Sequence, residues 1–312
     1  MIKTVASMEL AIDENLRIRK NQILPLHPDG TEKRIAIATG THGDELEGQF
    51  VCYELLSRLN SHPEYVNGII DIYPALNPLG IDSISRGIPM FDLDMNRVFP
   101  GNDKGSMIEM IVDRITNDLT GADICIDIHA SNIFLMEMPQ VRINEETSSR
   151  LLPYAKMLNT DFIWIHGSAT VLESTLAYSL NKAGVPTLVI EAGVGMRITE
   201  SYGYRIIDGI FNLMKEMGIW SGPVGDVKEP IISSDREIGF LNAEKSGIYI
   251  PGRDIGDNVQ KGDELGKILN PLTGNIEETV KAPISGMLFT KREYPVVYNG
   301  SLLGRIIGGK KR

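Results

Sequence analysis

Cysteine is nearly absent from the chain. Cys52 and Cys125 are the only two in 312 residues, and each sits in an apolar run. That excludes a disulfide-built scaffold and fits reduced core thiols in a cytoplasmic protein. Long hydrophobic runs are missing as well. No apolar stretch approaches the ~18 residues of a membrane helix. Residues 1–10 carry one lysine and no apolar h-region, so no secretory signal is expected. Positive charge is in deficit: Lys and Arg total 31 against 41 Asp and Glu, a net charge of −10. This argues against nucleic-acid or membrane partners and favours solubility. An anionic small substrate is still compatible, because a few buried arginines can make a local positive pocket. There is no internal repeat and no low-complexity segment. What remains, 42% hydrophobic and 23% charged, is an ordinary globular composition. At ~150 residues per domain the length suggests about two domains.

Against this plain background, one stretch concentrates unusual chemistry: Gly40-Thr41-His42-Gly43-Asp44-Glu45-Leu46-Glu47-Gly48. It follows Arg34-Ile35-Ala36-Ile37-Ala38-Thr39, a β-branched run that reads as a buried strand. It precedes residues 49–59, whose apolar side chains recur at helical spacing. His42 and Glu45 therefore fall at a strand-to-helix junction, where open α/β sheets place ligand sites. Three residues apart on a turn, their side chains can converge on one point. They could be two of the three ligands of a catalytic zinc. Equally, His42 could be a loop histidine and Glu45 a carboxylate favoured by the helix N-terminus.

Downstream residues add weight to the metal reading. Residues 122–131 read as a buried strand with His129 at its C-terminal end, completing a set of two histidines and a glutamate. Asp127, two residues earlier on the same face, could orient an imidazole. His166, at the end of a strand over 161–165, could line the same site, with Gly167 and Ser168 after it. A strand over 185–193 carries one carboxylate, Glu191, at its polar end. A carboxylate there costs free energy unless it is paired or functional. It could be a general base beside a metal-bound water or the partner of an arginine. The long segment after Asn77-Pro78 has few regular signals but holds Arg86, Asn96 and Arg97. These could clamp a carboxylate and polarise a carbonyl, or be solvated loop charges.

The elements between these stretches alternate strand and helix. An amphipathic helix is expected over 106–119, and further helices over 145–158, about 170–183 and 202–217. Two short strands occupy residues 1–30, and another covers 69–75. From Gly222 onward the pattern changes to strand–turn units with glycine and proline punctuation, which predicts an all-β module. The fold class is thus α/β with a small C-terminal β-domain.

Taken together, these motifs resemble the succinylglutamate desuccinylase/aspartoacylase family, among the zinc carboxypeptidase-like hydrolases. The matching pieces are residues 40–45, Asn77-Pro78 with Arg86, residues 94–101, Asp127-Ile128-His129 and Ile190-Glu191-Ala192-Gly193. They occur in the family's order and cover roughly residues 30–215. The resemblance implies a mixed, mostly parallel sheet with helices on both faces as a catalytic unit over 1–225. Residues 226–312 would be a β-domain similar to a biotinyl/lipoyl carrier, capping the site. A carrier role is not expected, because the hairpin that would bear the modified lysine holds Asn270-Pro271-Leu272-Thr273-Gly274. The resemblance further implies one zinc ion held by His42, Glu45 and His129, with Glu191 as catalytic acid/base. Arg86 would polarise the scissile carbonyl, and Asn96 and Arg97 would grip the substrate carboxylate. A tyrosine from the second domain would reach the substrate, with Tyr294 and Tyr298 as candidates.

The activity so implied is hydrolysis of the amide of a small N-acyl amino acid by zinc-activated water. Two other readings compete. A metallocarboxypeptidase for short peptides would need an open groove, which a capping domain would close. A non-catalytic zinc-binding protein would have no use for Glu191. The acyl group, the amino acid and any homo-oligomeric state are not fixed by the sequence.

Overall fold

The structure, a computed structural model, describes residues 1–167 and 173–308. The chain opens with a hairpin, β1 (Ile2–Glu9) and β2 (Asn15–Ile23). The first crossover unit runs through β3 (Arg34–Thr39), α1 (Glu47–Ser61) and β4 (Ile69–Tyr73). A short α2 (Pro78–Ser83) follows, then α3 (Met107–Leu119), β5 (Ile124–His129), β6 (Leu135–Asn144) and α4 (Ser148–Ala155). The α/β part closes with β7 (Phe162–His166), α5 (Leu176–Lys182), β8 (Thr187–Gly193) and α6 (Glu200–Glu216).

The centre of the main sheet, β4-β3-β5-β8, is parallel. Its strands are apolar on both faces because helices cover both. On one face α1 and α6 bury Val51, Leu55, Leu59, Ile206 and Ile210 against Ile35, Ile37, Ile126, Ile128 and Ile190. On the other, α3 and α5 bury Ile108, Ile111, Ile115, Leu176 and Leu180 against Ala36, Ala38 and Cys125. Each such side chain contributes roughly 1.5–3 kcal/mol of transfer free energy. The start of α3 is fixed by a capping box in which Ser106 accepts from the Glu109 amide while Glu109 accepts from that of Ser106. Both cysteines are buried free thiols.

One expectation is adjusted and one strand is new. The helix anticipated from about Thr170 begins, among the described residues, only at Leu176, with Thr175 as its cap; its expected start and Ser168 lie outside the described residues. The segment 135–144 drew no reading from the sequence, yet β6 is a pivotal strand. It runs antiparallel to β8, with a register shift between Glu137 and Gln140 at Pro139. A proline inside a strand is tolerated at such a bulge, where no ladder donor is needed.

After β9 (Ile231–Ser234) and β10 (Ile238–Asn242), the C-terminal strands are β11 (Gly247–Pro251), β12 (Asn258–Val259), β13 (Glu264–Asn270), β14 (Asn275–Lys281), β15 (Gly286–Arg292), β16 (Val296–Val297) and β17 (Leu302–Gly308). They have a core of their own around Leu241, Tyr249, Leu265, Ile268, Val280 and Ile306. The small sheet β14-β13-β11-β16 stands apart, but β15, β17 and β10 extend the main sheet through β6. The C-terminal strands are therefore laid edge to edge with the strands that carry the site.

Candidate active site

Period-two alternation explains how one sheet face can be core at one end and cavity at the other. In β5 and β8, Ile126, Ile128, Leu188 and Ile190 point into the core with α1 and α6. Their neighbours Asp127, His129, Val189 and Glu191 point to the opposite face and line a cavity of about 1160 Å³. Lateral register sets the rungs. His129 lies beside Glu191 and Glu191 beside Gln140; one rung away, Asp127, Val189, Arg142 and Trp164 are side by side.

The loop after β3 brings His42 and Glu45 to the same place. Gly40 adopts φ +67, open to glycine at little cost, and a Cβ on Gly43 would run into the Gly80 backbone. The Gly43 amide donates to the Arg86 carbonyl at 3.3 Å, which ties this loop to the one carrying Arg86. His42, Glu45 and His129 are all buried and offer ligand atoms within 4.8 Å of one another.

Both imidazoles turn the same edge to the centre. His42 Nδ1 is 2.7 Å from Glu45 Oε1, and His129 Nδ1 is 2.9 Å from Glu45 Oε2. Their outer nitrogens face carboxylates: His42 Nε2 meets Asp94 Oδ1 at 3.0 Å, and His129 Nε2 meets Asp127 Oδ2 at 3.2 Å. A neutral imidazole that donates outward from Nε2 presents its Nδ1 lone pair inward. Two such lone pairs then confront a carboxylate, an arrangement that requires protons or a cation between them. The donor set, two nitrogens and a carboxylate with outer carboxylates holding the rings, suits zinc.

The electrostatics point the same way. Burial pulls the His42 imidazole down in pKa, but Asp94 and Glu45 outweigh it and raise it. Burial likewise opposes charge on His129, yet Asp127 and Glu45 hold it well above the ordinary range. Burial pushes Glu45 up, and His129 and His42 more than reverse this. A buried centre so rich in carboxylates is a site that attracts positive charge.

The remaining expected residues divide clearly. Arg86, Asn96, Arg97, Glu191 and His166 all line the cavity. Arg86 Nη1 donates to Glu45 Oε1 at 2.8 Å. Asn96 is fixed by its Oδ1, which accepts from the Leu176 amide at 2.9 Å. Arg97 Nη1 donates to the Asn96 carbonyl at 2.7 Å. Glu191 is raised in pKa, chiefly by burial, against the pull of Arg142. The two tyrosines are not brought to the cavity wall. Tyr294 packs edge-on against Phe134 at its rim, 5.6 Å between centroids. Tyr298 is 70% exposed, in the turn where its amide donates to Ser301 Oγ. The C-terminal side chains that do line the cavity are Asp235, Phe240 and Arg305.

Asp94, Glu137, Arg142, Trp164 and Arg305 also belong to the site and drew no role from the sequence. Asp94 stood in the quoted 94–101 motif, where an aspartate just before Asn96-Arg97 was a usable signal. Val141-Arg142-Ile143-Asn144 alternates apolar and polar, which marks Arg142 as a sheet-face residue.

A parallel sheet with its polar cluster at the strand ends, and two histidines and a glutamate converging there, define an α/β protein with a group that could hold a metal ion. Residues 31–217 match the succinylglutamate desuccinylase/aspartoacylase catalytic domain, and the chain belongs to that deacylase family. It is 27% identical over 270 residues to the N-alpha-acetyl-L-2,4-diaminobutyric acid deacetylase of Halomonas elongata, covering 83% of this chain and 77% of the relative. Its fold is similar to the product-bound ectoine utilization protein EutE (DoeB) of Ruegeria pomeroyi, with TM-score 0.82, 21% identity and 99% and 95% of the two chains covered. The succinylglutamate desuccinylase/aspartoacylase of Rhodobacter sphaeroides aligns with TM-score 0.79 and 20% identity over 99% and 96%.

Proposed function

We propose that this protein is a zinc-dependent amidohydrolase that removes the acyl group from a small N-acyl amino acid. The observation that carries this reading is the convergence of His42, Glu45 and His129 on one point, with Glu191 on the adjacent strand in register with His129. Zinc held by these three residues would supply Lewis acidity toward the scissile carbonyl and toward water.

The protein's own side chains perform the rest. Glu191 accepts a proton from water as the new C–O bond forms, and its raised pKa keeps it basic enough to do so. It then returns that proton to the amine nitrogen as the C–N bond breaks. Arg86, at the edge of the centre, donates to the carbonyl oxygen as it gains negative charge. Asn96 presents its amide nitrogen, and Arg97 its guanidinium, to the substrate carboxylate.

We assign residues 1–225 to the catalytic unit and 226–312 to a unit that caps it through Asp235, Phe240 and Arg305. Walls from both units favour a small substrate over a peptide, as does the deacetylase relative, whose named substrate is an acetylated diamino acid. Among the described residues no helix is long and apolar enough to cross a membrane. The two buried free thiols support a cytoplasmic location.

The test is amine release, with zinc present, from acetyl-, succinyl- and longer acyl-amino acids and from short peptides. Cleavage of the acyl-amino acids alone is expected. Turnover of peptides with a free C-terminus, without acyl-amino acid cleavage, would assign a metallocarboxypeptidase instead.

A further inference from the structure

Glu137 is 1% exposed, a position where an unpaired carboxylate would be strongly destabilising. It is instead fully engaged. Its Oε2 accepts from Thr290 Oγ1 at 2.6 Å and from Gln140 Nε2 at 2.8 Å. Its Oε1 accepts from Arg305 Nη1 at 2.6 Å and from Arg142 Nη2 at 3.4 Å. Thr290 and Arg305 come from β15 and β17. The rung Gly193–Glu137–Thr290–Arg305–Phe240 carries one sheet face from the end of β8 into the C-terminal strands.

Arg142 has a second obligation: its Nη1 lies 3.2 Å from Glu191 Oε1. The guanidinium carbons of Arg142 and Arg305 each stand 5.4 Å from the Trp164 ring centroid. Trp164 is itself immobilised by Phe162 and Phe289 and by its Nε1–H donated to Asp235 Oδ1 at 2.8 Å. The charges form a chain, Glu191–Arg142–Glu137–Arg305, in which signs alternate and every link is short. The guanidinium lies between two protein carboxylates through Nη1 and Nη2 and is backed by an indole, while its buried Nε has no hydrogen-bond partner.

We infer that Arg142 is the positioning residue for Glu191, and that Glu137 with Arg305 holds Arg142 in place, so the C-terminal strands help set the aim of the catalytic carboxylate. This rests on the reading of Glu191 as the general base. Misplacing a catalytic group by about 1 Å can cost ~10²-fold in rate, so a carboxylate free to rotate should turn over poorly while substrate binds normally.

The experiment is a double-mutant cycle with R142M, E191Q and R142M/E191Q, together with R142K and E137Q. It reads kcat and KM on an N-acetyl amino acid, zinc content and melting. R142M is expected to lower kcat roughly 10- to 100-fold with KM within about twofold and zinc retained. R142K should recover part of the loss, and E137Q should lower kcat in the same way. Added to E191Q, R142M should cost little more, because Arg142 acts through that residue. A kcat for R142M near wild type, a loss confined to KM, or full additivity with E191Q would overturn the inference. Should R142M not fold, R142K carries the same comparison, its kcat falling with KM held. E191Q turning over at the wild-type rate would instead remove the general-base reading, whatever Arg142 does.

Discussion

His129 presents its Nε2 to Asp127 Oδ2 at 3.2 Å, the two residues standing on one face of β5 with a single isoleucine between them. The pairing fixes which edge of the imidazole is turned inward. In the proposed zinc site this makes Asp127 a determinant of metal affinity from outside the ligand set.

The purified protein should hold about one zinc ion per chain, and His129→Ala should lose most of it. Asp127→Asn should keep the fold and weaken zinc binding by about 10- to 100-fold. Elemental analysis and competition with a chelator measure both. Full zinc occupancy in His129→Ala would remove that residue from the ligand set.

Arg97→Ala should raise KM for a carboxylate-bearing substrate far more than for its amide analogue. Losing the charged partner of a bidentate pair is worth roughly 1.5–3 kcal/mol, or about 10- to 100-fold. Equal losses on the acid and the amide would show that Arg97 does not hold the carboxylate.

The parts of this site that are local in sequence are legible in it. Residues 40–45 announce a ligand loop because a buried strand runs directly into glycines flanking a histidine and a glutamate. His129 and Glu191 stand out as polar residues ending apolar strands. Glu137 is not legible because Pro139 breaks the alternation of β6 at its bulge, and Arg142, though alternation places it on a sheet face, has partners set by tertiary packing, Glu137 and Glu191. Arg305 escaped for a different reason: its contact with Glu137 spans 168 positions, and lateral strand pairing leaves no local pattern. The resemblance points to Tyr294 and Tyr298 as the C-terminal contribution, whereas the register of β15, β17 and β10 brings Arg305 and Phe240 to the cavity.

The His166 ring stacks on Trp164 at 4.3 Å between centroids. Burial first, then Arg142 and Arg305, push its pKa down to about 4 against the opposing pull of Asp235. In the unfolded chain it titrates near its ordinary value of about 6.5. Between those two values the unfolded state binds a proton that the folded state does not. Stability is therefore lost as pH falls from 6.5 to 4, by up to about 3 kcal/mol from this group. His166→Phe keeps a ring against Trp164 and removes the titration. Urea unfolding at a series of pH values should show a shallower acid-side decline in the variant, and identical pH slopes would contradict this assignment.

The most direct test of the central claim is the steady-state rate of Glu191→Gln. The substitution preserves size and shape but cannot take up the proton released by water. With zinc content and fold intact, kcat should fall by about 10²- to 10⁴-fold, the usual worth of positioned acid–base catalysis. A variant that melts early through loss of its Arg142 contact, yet turns over at nearly the wild-type rate, would show Glu191 to be structural and contradict the mechanism.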